Sequence, residues 1–186
     1  MALFQEVRWH GRGGQGVVRV SQLLASAALM EGKQIQAFPE FGPERTGAPV
    51  LGFTRISDAP IDIHSQVYEP DVVVVLDPTL LKTIDVTKGL KKGGKLIVNT
   101  EMSPKELKKQ LNCGDVQVFT VNGTRIALDL IGRAVFSTVM LGAMVKVTNL
   151  VALDSAIKAT TNMFPGSLGE KNVAAIKRAT EEVKSE

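Results

Sequence analysis

The chain has 186 residues, 44% of them hydrophobic and 22% charged, with a net charge of +3. That is enough for one well-buried core, and the weak charge and scarce aromatics argue against a nucleic-acid-binding surface. Cys113 is the only cysteine and there are two histidines, which excludes an internal disulfide and a four-thiolate iron–sulfur cluster and argues against structural zinc.

Residues 3–10 read as a first strand. A glycine-rich run follows, His10-Gly11-Arg12-Gly13-Gly14-Gln15-Gly16. Residues 17–30 then read as a helix, with Val17, Val20, Leu23, Leu24, Ala27 and Ala28 on one face and Gly32 placed as a left-handed cap. Residues 34–38 suit a short second strand. Residues 39–49 hold three prolines and two glycines and read as a loop. Residues 50–56 read as a strand, and after the turn at 57–60 residues 61–63 are expected to pair back as a hairpin.

Residues 71–76 contain Val72-Val73-Val74-Val75, apolar on both faces, as in a covered parallel strand. Asp77-Pro78 resembles a helix start. Gly93-Gly94 makes a turn before a strand at 95–99. Ser103-Pro104-Lys105-Glu106 has the form of a capping box for a helix to about residue 111, and residues 116–121 read as the next strand. Helices are expected at 124–131 (closed by Gly132), 137–147, 153–161 and 168–184, with the last three residues frayed. The pattern predicts a single α/β domain over 1–186: a doubly wound, mostly parallel sheet flanked by helices, with a β-hairpin insertion. Residues 134–147 are the longest apolar stretch, interrupted by Ser137, Thr138 and Lys146, and too short to span a membrane. The N-terminus shows no signal-peptide pattern, so a cytoplasmic protein is expected.

The glycine run carries most of the functional signal. Strand, glycine loop and helix together present unpaired backbone N–H groups at the positive end of a helix dipole, where anions bind. Gly11-x-Gly13-x-x-Gly16 formally matches a dinucleotide fingerprint. The acidic ribose partner that such a site wants could only be Glu40, which lies in the Pro-rich loop. Arg12, a bulky cation within the loop, suits a discrete anion or an acidic neighbouring chain better than a pyrophosphate on bare backbone. The alternative is that the glycines only let strand and helix pack closely.

Other polar residues read more plainly. His10 is expected to be a satisfied strand-end histidine, His64 a surface residue, and Cys113 an inert small residue with no activating neighbour. Asp77 is explained as a helix cap. Met140, Leu141 and Met144 belong to a core or a subunit interface.

The glycine run, the later segment Phe41-Gly42-Pro43-Glu44-Arg45-Thr46-Gly47-Ala48-Pro49 and Glu170-Lys171-Asn172 near the end together resemble the gamma subunit of 2-oxoacid:ferredoxin oxidoreductases, most closely the pyruvate (pyruvate synthase) members. The resemblance implies a holoenzyme that converts a 2-oxoacid and coenzyme A to acyl-CoA and carbon dioxide and passes two electrons to ferredoxin. It implies thiamine diphosphate, magnesium and [4Fe–4S] clusters held by alpha, beta and delta partner chains, with ferredoxin reached through the complex. This chain would then be inactive alone and carry no catalytic or metal-binding residue. Its role would be assembly, coenzyme A binding, or both. The candidate ligand residues are Gly11, Arg12, Gly13, Gly14, Gln15, Gly16, Glu44, Arg45 and Thr46; Glu44 and Arg45 could instead pair with a partner subunit. Branched-chain 2-oxoacid and 2-oxoglutarate members, a free-standing NAD-binding domain and a ligand-free scaffold are the alternatives.

Overall fold

Why the chain folds as it does is clearest at its first strand. In the computed structural model, which describes residues 3–40 and 46–186, β1 (Phe4–Arg12) alternates between two environments. Val7 and Trp9 point to one side and are fully buried. Glu6, Arg8, His10 and Arg12 point to the other, because successive strand side chains face opposite ways. The apolar side receives α1 (Val17–Met30), whose Val20, Leu23, Leu24, Ala27 and Ala28 are all buried. Trp9 keeps its indole N–H satisfied by donating to Thr54 Oγ1 at 3.0 Å.

Seven strands form one mixed sheet in the order β2-β3-β1-β4-β5-β6-β7. The parallel centre is β1, β4 (Val72–Val75), β5 (Lys95–Asn99) and β6 (Gln117–Val121). β2 (Gln34–Pro39) and β3 (Pro49–Ser57) form an antiparallel pair, with β3 laid antiparallel against β1. Helices lie on both faces, unevenly. α1, α3 (Gly123–Leu130), α4 (Ser137–Thr148), α5 (Leu153–Met163) and α6 (Ser167–Glu182) build the large core with Val7, Trp9, Val72, Val74 and Ile97. α2 (Pro104–Leu111) and Val86 cover Val73, Val75, Leu96 and Val98 opposite. The expected α/β class holds, and so do several local signals. Ser103 and Glu106 make the reciprocal capping box, and Gly32 and Gly132 adopt positive φ just past α1 and α3. Met140, Leu141 and Met144 are fully buried in the core.

Three local expectations are corrected. Residues 61–63 form no strand. β3 already has β1 and β2 on its two edges, so no ladder position is left. The carbonyl of Ile61 accepts instead from Gln36 Nε2 (3.2 Å), and that of Ile63 from Arg55 (3.3 Å). The hairpin is β2–β3. Asp77-Pro78 opens only a 3-10 turn, Pro78–Lys82. Beyond it the carbonyls of Val86 and Lys88 are taken by Arg8 (3.1 and 2.6 Å), which removes acceptors a longer helix would need. The C-terminus is not frayed. Lys184–Ser185 form β7 on the outer edge of β6. The Glu186 carboxylate there accepts from Val118 N at 3.0 Å and pairs with Lys108 at 2.9 Å.

α4 and α6 approach so closely that a Cβ on Gly142 would meet the carbonyl oxygen of Ile176 and would lie 2.9 Å from its Cα. Alanine gains about 1 kcal/mol of helix propensity over glycine, but overpacking two backbones costs about 1–3 kcal/mol. Gly142→Ala should therefore shift the urea unfolding midpoint downward, with a net loss of up to about 2 kcal/mol; a raised midpoint would show that the two helices can separate freely.

Candidate functional site

The chain leaves β1 toward β2 on one side and leaves β4 toward β5 on the other, so the strand order reverses between β1 and β4. A crevice opens at the carboxyl ends of strands at such a reversal, the usual ligand position in open α/β sheets. Arg12 ends β1 there and Asp77 follows β4.

Asp77 organises this end of the sheet. Its Oδ1 accepts from Thr79 N (2.9 Å) and Thr79 Oγ1 (2.6 Å), and its Oδ2 accepts from Gln15 Nε2 (2.7 Å). Arg12 Nε lies 3.2 Å from the same Oδ2. Burial pushes the Asp77 carboxyl upward, but the bonds from Thr79 and Gln15 and the charge of Arg12 outweigh it and hold the group below its ordinary range. The cap expected of Asp77 is present, together with a wider role that the sequence did not show.

The glycine run sits differently from the expected amide cradle. Gly11 and Arg12 belong to the extended strand β1, and Gly13 bridges to Thr46. Arg12 N donates to Gln15 Oε1 (2.8 Å), Gly13 N to the Ala48 carbonyl (2.9 Å) and Gln15 N to the Arg12 carbonyl (3.0 Å). Those donors are spent inside the protein. Arg12 is also tied down, donating to Gly47 O (3.0 Å) and Thr79 Oγ1 (2.9 Å). The free donors lie one step later. Gly16 caps α1 in the left-handed conformation with no side-chain cap, and among the described residues the amides of Val17, Val18 and Arg19 donate to no acceptor.

These amides border a groove of about 490 Å³ whose wall includes Arg12, Gly13, Gly14, Gly16, Arg19 and Thr46. Gly11 and Gln15 stay behind it, Gln15 as a brace on Asp77 and Gly11 as a seat for the helix. A Cβ on Gly11 would come 2.5 Å from Val17 Cγ2, and one on Gly52 would come 3.0 Å from Val17 Cγ1. Close packing and an open helix N-terminus are thus both features of this run. Glu44 and Arg45 lie outside the described residues. Glu40 lines a separate cavity with His10 and Leu51, on the other face of the sheet from Gly11 and Val50, so it does not meet the glycine turn as a ribose partner would. Arg19 was missed from sequence because it reads as a solvent-facing helix residue. Its guanidinium lies 5.4 Å from the Phe164 ring centroid, and among the described residues it joins no ion pair.

A family model described as pyruvate ferredoxin/flavodoxin oxidoreductase matches residues 6–182. The chain belongs to this family. It is 55% identical over 174 residues, 94% of each chain, to a Thermococcus kodakarensis protein named pyruvate/ketoisovalerate oxidoreductases common subunit gamma. It is 49% identical to the pyruvate synthase subunit PorC of Methanothermobacter thermautotrophicus, over 96% of this chain and 95% of that one. The crystal structure of the pyruvate oxidoreductase subunit PORC of Thermotoga maritima superposes with a TM-score of 0.87 at 43% identity, over 98% of each chain. The resemblance to gamma subunits of 2-oxoacid:ferredoxin oxidoreductases is therefore shown.

Other family motifs resolve into structure. Asn172 of Glu170-Lys171-Asn172 is buried and joins two helices, accepting from Thr138 Oγ1 (2.7 Å) and donating to Leu168 O (2.8 Å). Cys113 is half-buried, and its thiol is pushed up chiefly by burial, the opposite of activation. A single thiol cannot hold a [4Fe–4S] cluster. Among the described residues no three His, Cys, Asp or Glu side chains gather as metal ligands, and no described helix is long and apolar enough to cross a membrane. His64 is exposed as expected.

His10 departs from expectation. It is buried, and its Nδ1 has no partner. Burial, reinforced by the charge of Arg8, depresses its pKa from 6.5 to about 3. Between those values the unfolded chain binds a proton that the folded chain does not, so acid favours unfolding. Stability should fall from pH 6.5 to 5 by up to about 1.4 kcal/mol per pH unit, a window above the ordinary carboxylate range. Urea unfolding at pH 7 and pH 5 should show this loss, and His10→Gln should flatten it; an equal slope in the variant would refute the assignment.

Proposed function

We propose that this chain is the gamma subunit, without cluster or thiamine, of a cytoplasmic multi-subunit pyruvate:ferredoxin oxidoreductase, with residues 1–186 acting as one domain. In that complex pyruvate and coenzyme A become acetyl-CoA and carbon dioxide, and two electrons leave to ferredoxin. Thiamine diphosphate with magnesium supplies the carbanion chemistry and [4Fe–4S] clusters carry the electrons, all in alpha, beta or delta partner chains. The chain alone would not turn over. The relative named as a common subunit of pyruvate and ketoisovalerate oxidoreductases favours a second use, with one gamma chain serving complexes of both specificities.

The groove before α1 is the proposed coenzyme A contact. The observation that carries this is the set of unpartnered amides of Val17, Val18 and Arg19 opening into a space of about 490 Å³. Donors at a helix N-terminus suit phosphate oxygens. Arg12, Gly13, Gly14, Gly16 and Thr46 would shape the site, with Gly11 and Gln15 supporting it, and Glu44 and Arg45 are the further candidates from the motif. Arg12 has most of its hydrogen-bonding capacity committed to Asp77, Thr79 and Gly47, so it holds the site's shape. Arg19 supplies the uncommitted positive charge, and a bond between charged groups is worth about 1.5–3 kcal/mol.

Isothermal titration of coenzyme A into the assembled complex should show Arg19→Ala binding about tenfold to a hundredfold more weakly, with pantetheine, which lacks the phosphates, unaffected. Arg12→Ala should also weaken binding, because it loosens the crevice. Unchanged coenzyme A affinity in both variants would remove the ligand role and leave assembly.

A further inference from the structure

The sheet closes its two outer edges unequally. On β6 the chain itself fills the edge: β7 pairs there, and Val118 N donates to the Glu186 carboxylate at 3.0 Å. At the other end of the sheet β2 has a neighbour only on its β3 side. Which of its groups face outward follows from one bond. Glu40 N donates to Leu51 O at 3.0 Å, which makes Glu40 and Leu51 a hydrogen-bonded pair. Such pairs alternate along an antiparallel ladder, so in the continuous register of β2 and β3 the main-chain groups of Gln34, Gln36 and Phe38 serve β3. Those of Ile35, Ala37 and Pro39 point away from it. Among the described residues, the N–H groups of Ile35 and Ala37 and the carbonyls of Ile35, Ala37 and Pro39 have no partner.

The loop over residues 61–66 does not cover this edge. It is held over one face of the sheet, by Gln36 Nε2 on Ile61 O and by Arg55 on the carbonyls of Ile63 and Gln66. Nor is the edge blunted. Sheets protect an open edge with charged side chains, bulges or proline, whereas Gln34–Pro39 carries no charge, pairs one to one with β3, and has its proline only at the last position. On the opposite face Ile35 packs against the large core. There α1, which packs on β2, ends in Leu29 and Met30, 61% and 47% exposed. A row of unpaired donors and acceptors beside exposed apolar side chains is the form of a strand-pairing surface.

We propose that β2 pairs antiparallel with β2 of a second copy of this chain, joining two sheets across a two-fold axis. The strand is its own complement. It needs a neighbour that is apolar on the α1 side and uncharged on the other, and Ile35 and Ala37 against Gln34 and Gln36 supply that pattern. Two copies therefore meet no like charges. A two-fold centred on Gln36 sets Ile35 opposite Ala37 of the second copy. Each such pair exchanges two N–H···O bonds, so all four free N–H groups are met, and Pro39, which has no N–H to give, falls outside the exchange. The α1 helices of both copies then lie on the same side of the joined sheet, where Leu29 and Met30 add apolar surface. The proposal rests neither on the coenzyme A reading nor on the choice of 2-oxoacid.

Sedimentation equilibrium of the full chain should show a monomer–dimer balance that shifts with concentration. Hydrogen exchange should slow at the amides of Ile35 and Ala37 as the dimer fills, with Gln36 protected throughout. Ala37→Pro removes an outward N–H and no bond to β3, a position where an edge strand tolerates proline. It should keep the far-ultraviolet circular dichroism of the wild type and weaken dimerisation at least about tenfold. Cross-linking reads the register and does not depend on that variant folding. In a Cys113→Ser background, Gln36→Cys should oxidise to a disulfide-linked dimer, because opposed residues of a non-hydrogen-bonded pair have Cα atoms about 4.5 Å apart. Gln34→Cys should not, since it would lie about 14 Å from its copy. A chain that stays monomeric at millimolar concentration, a folded Ala37→Pro variant that dimerises like wild type, or cross-linking at Gln34 equal to that at Gln36 overturns the proposal. Slowed exchange at Ile35 and Ala37 in the assembled complex alone would overturn it too, and assign the edge to a strand of a neighbouring subunit.

Discussion

The buried carboxylate of Asp77 fixes the end of the sheet where the crevice opens. It stands where the sheet reverses direction, and it binds side chains from both strands that border the crevice: Arg12 closing β1, Gln15 from the turn, and Thr79 following β4. Gln15 then returns a bond to the Arg12 backbone. Turn, strand end and 3-10 turn are held as one unit by a single ionised group. Without that charge, Arg12 and Gln15 would have no common acceptor, and the entry to α1 would lose its brace. A low carboxyl pKa here is a consequence of the scaffold, so it does not by itself mark catalysis.

A second constraint is steric. Val17, the first residue of α1, is pressed between Gly11 on β1 and Gly52 on β3. The helix starts close to the sheet, its first amides emerge at the rim, and the left-handed Gly16 offers no side chain to cap them. The glycines thus serve packing, and the packing leaves the amides open. Sequence reasoning set these two readings against each other, whereas the structure makes one the cause of the other.

The sheet is also divided by what covers it. Helices bury the face carrying Val7 and Trp9, and that face was legible because apolar periodicity is a one-dimensional signal. Over β1 and β3 the opposite face carries Glu6, Arg8, His10 and Arg55, with loops above. Arg55, 1% exposed, pairs with Glu6 at 2.8 Å and accounts for carbonyls of Ile63 and Gln66. A buried arginine that captures loop carbonyls leaves no pattern in the sequence. It is also why residues 61–63 look like a strand and are none. The missed β7 has a similar cause: an unfilled edge of β6 attracts the last residues, and edges exist only after the sheet has assembled.

By itself, the sequence determined the kinship, the α/β class, the capping box at Ser103 and Glu106, the left-handed caps and the apolar faces of the helices, because each depends on neighbours within a turn or two of chain. It also determined that one cysteine cannot hold an iron–sulfur cluster. Only the tertiary structure decided which amides near the glycines stay unpaired, that Arg12 is committed to Asp77 while Arg19 is not, and that the Nδ1 of His10 is buried without a partner. Those outcomes depend on contacts between residues as far apart as 12 and 77 or 8 and 88, and hydrogen-bond partners across such distances are assigned when strands and loops meet in space.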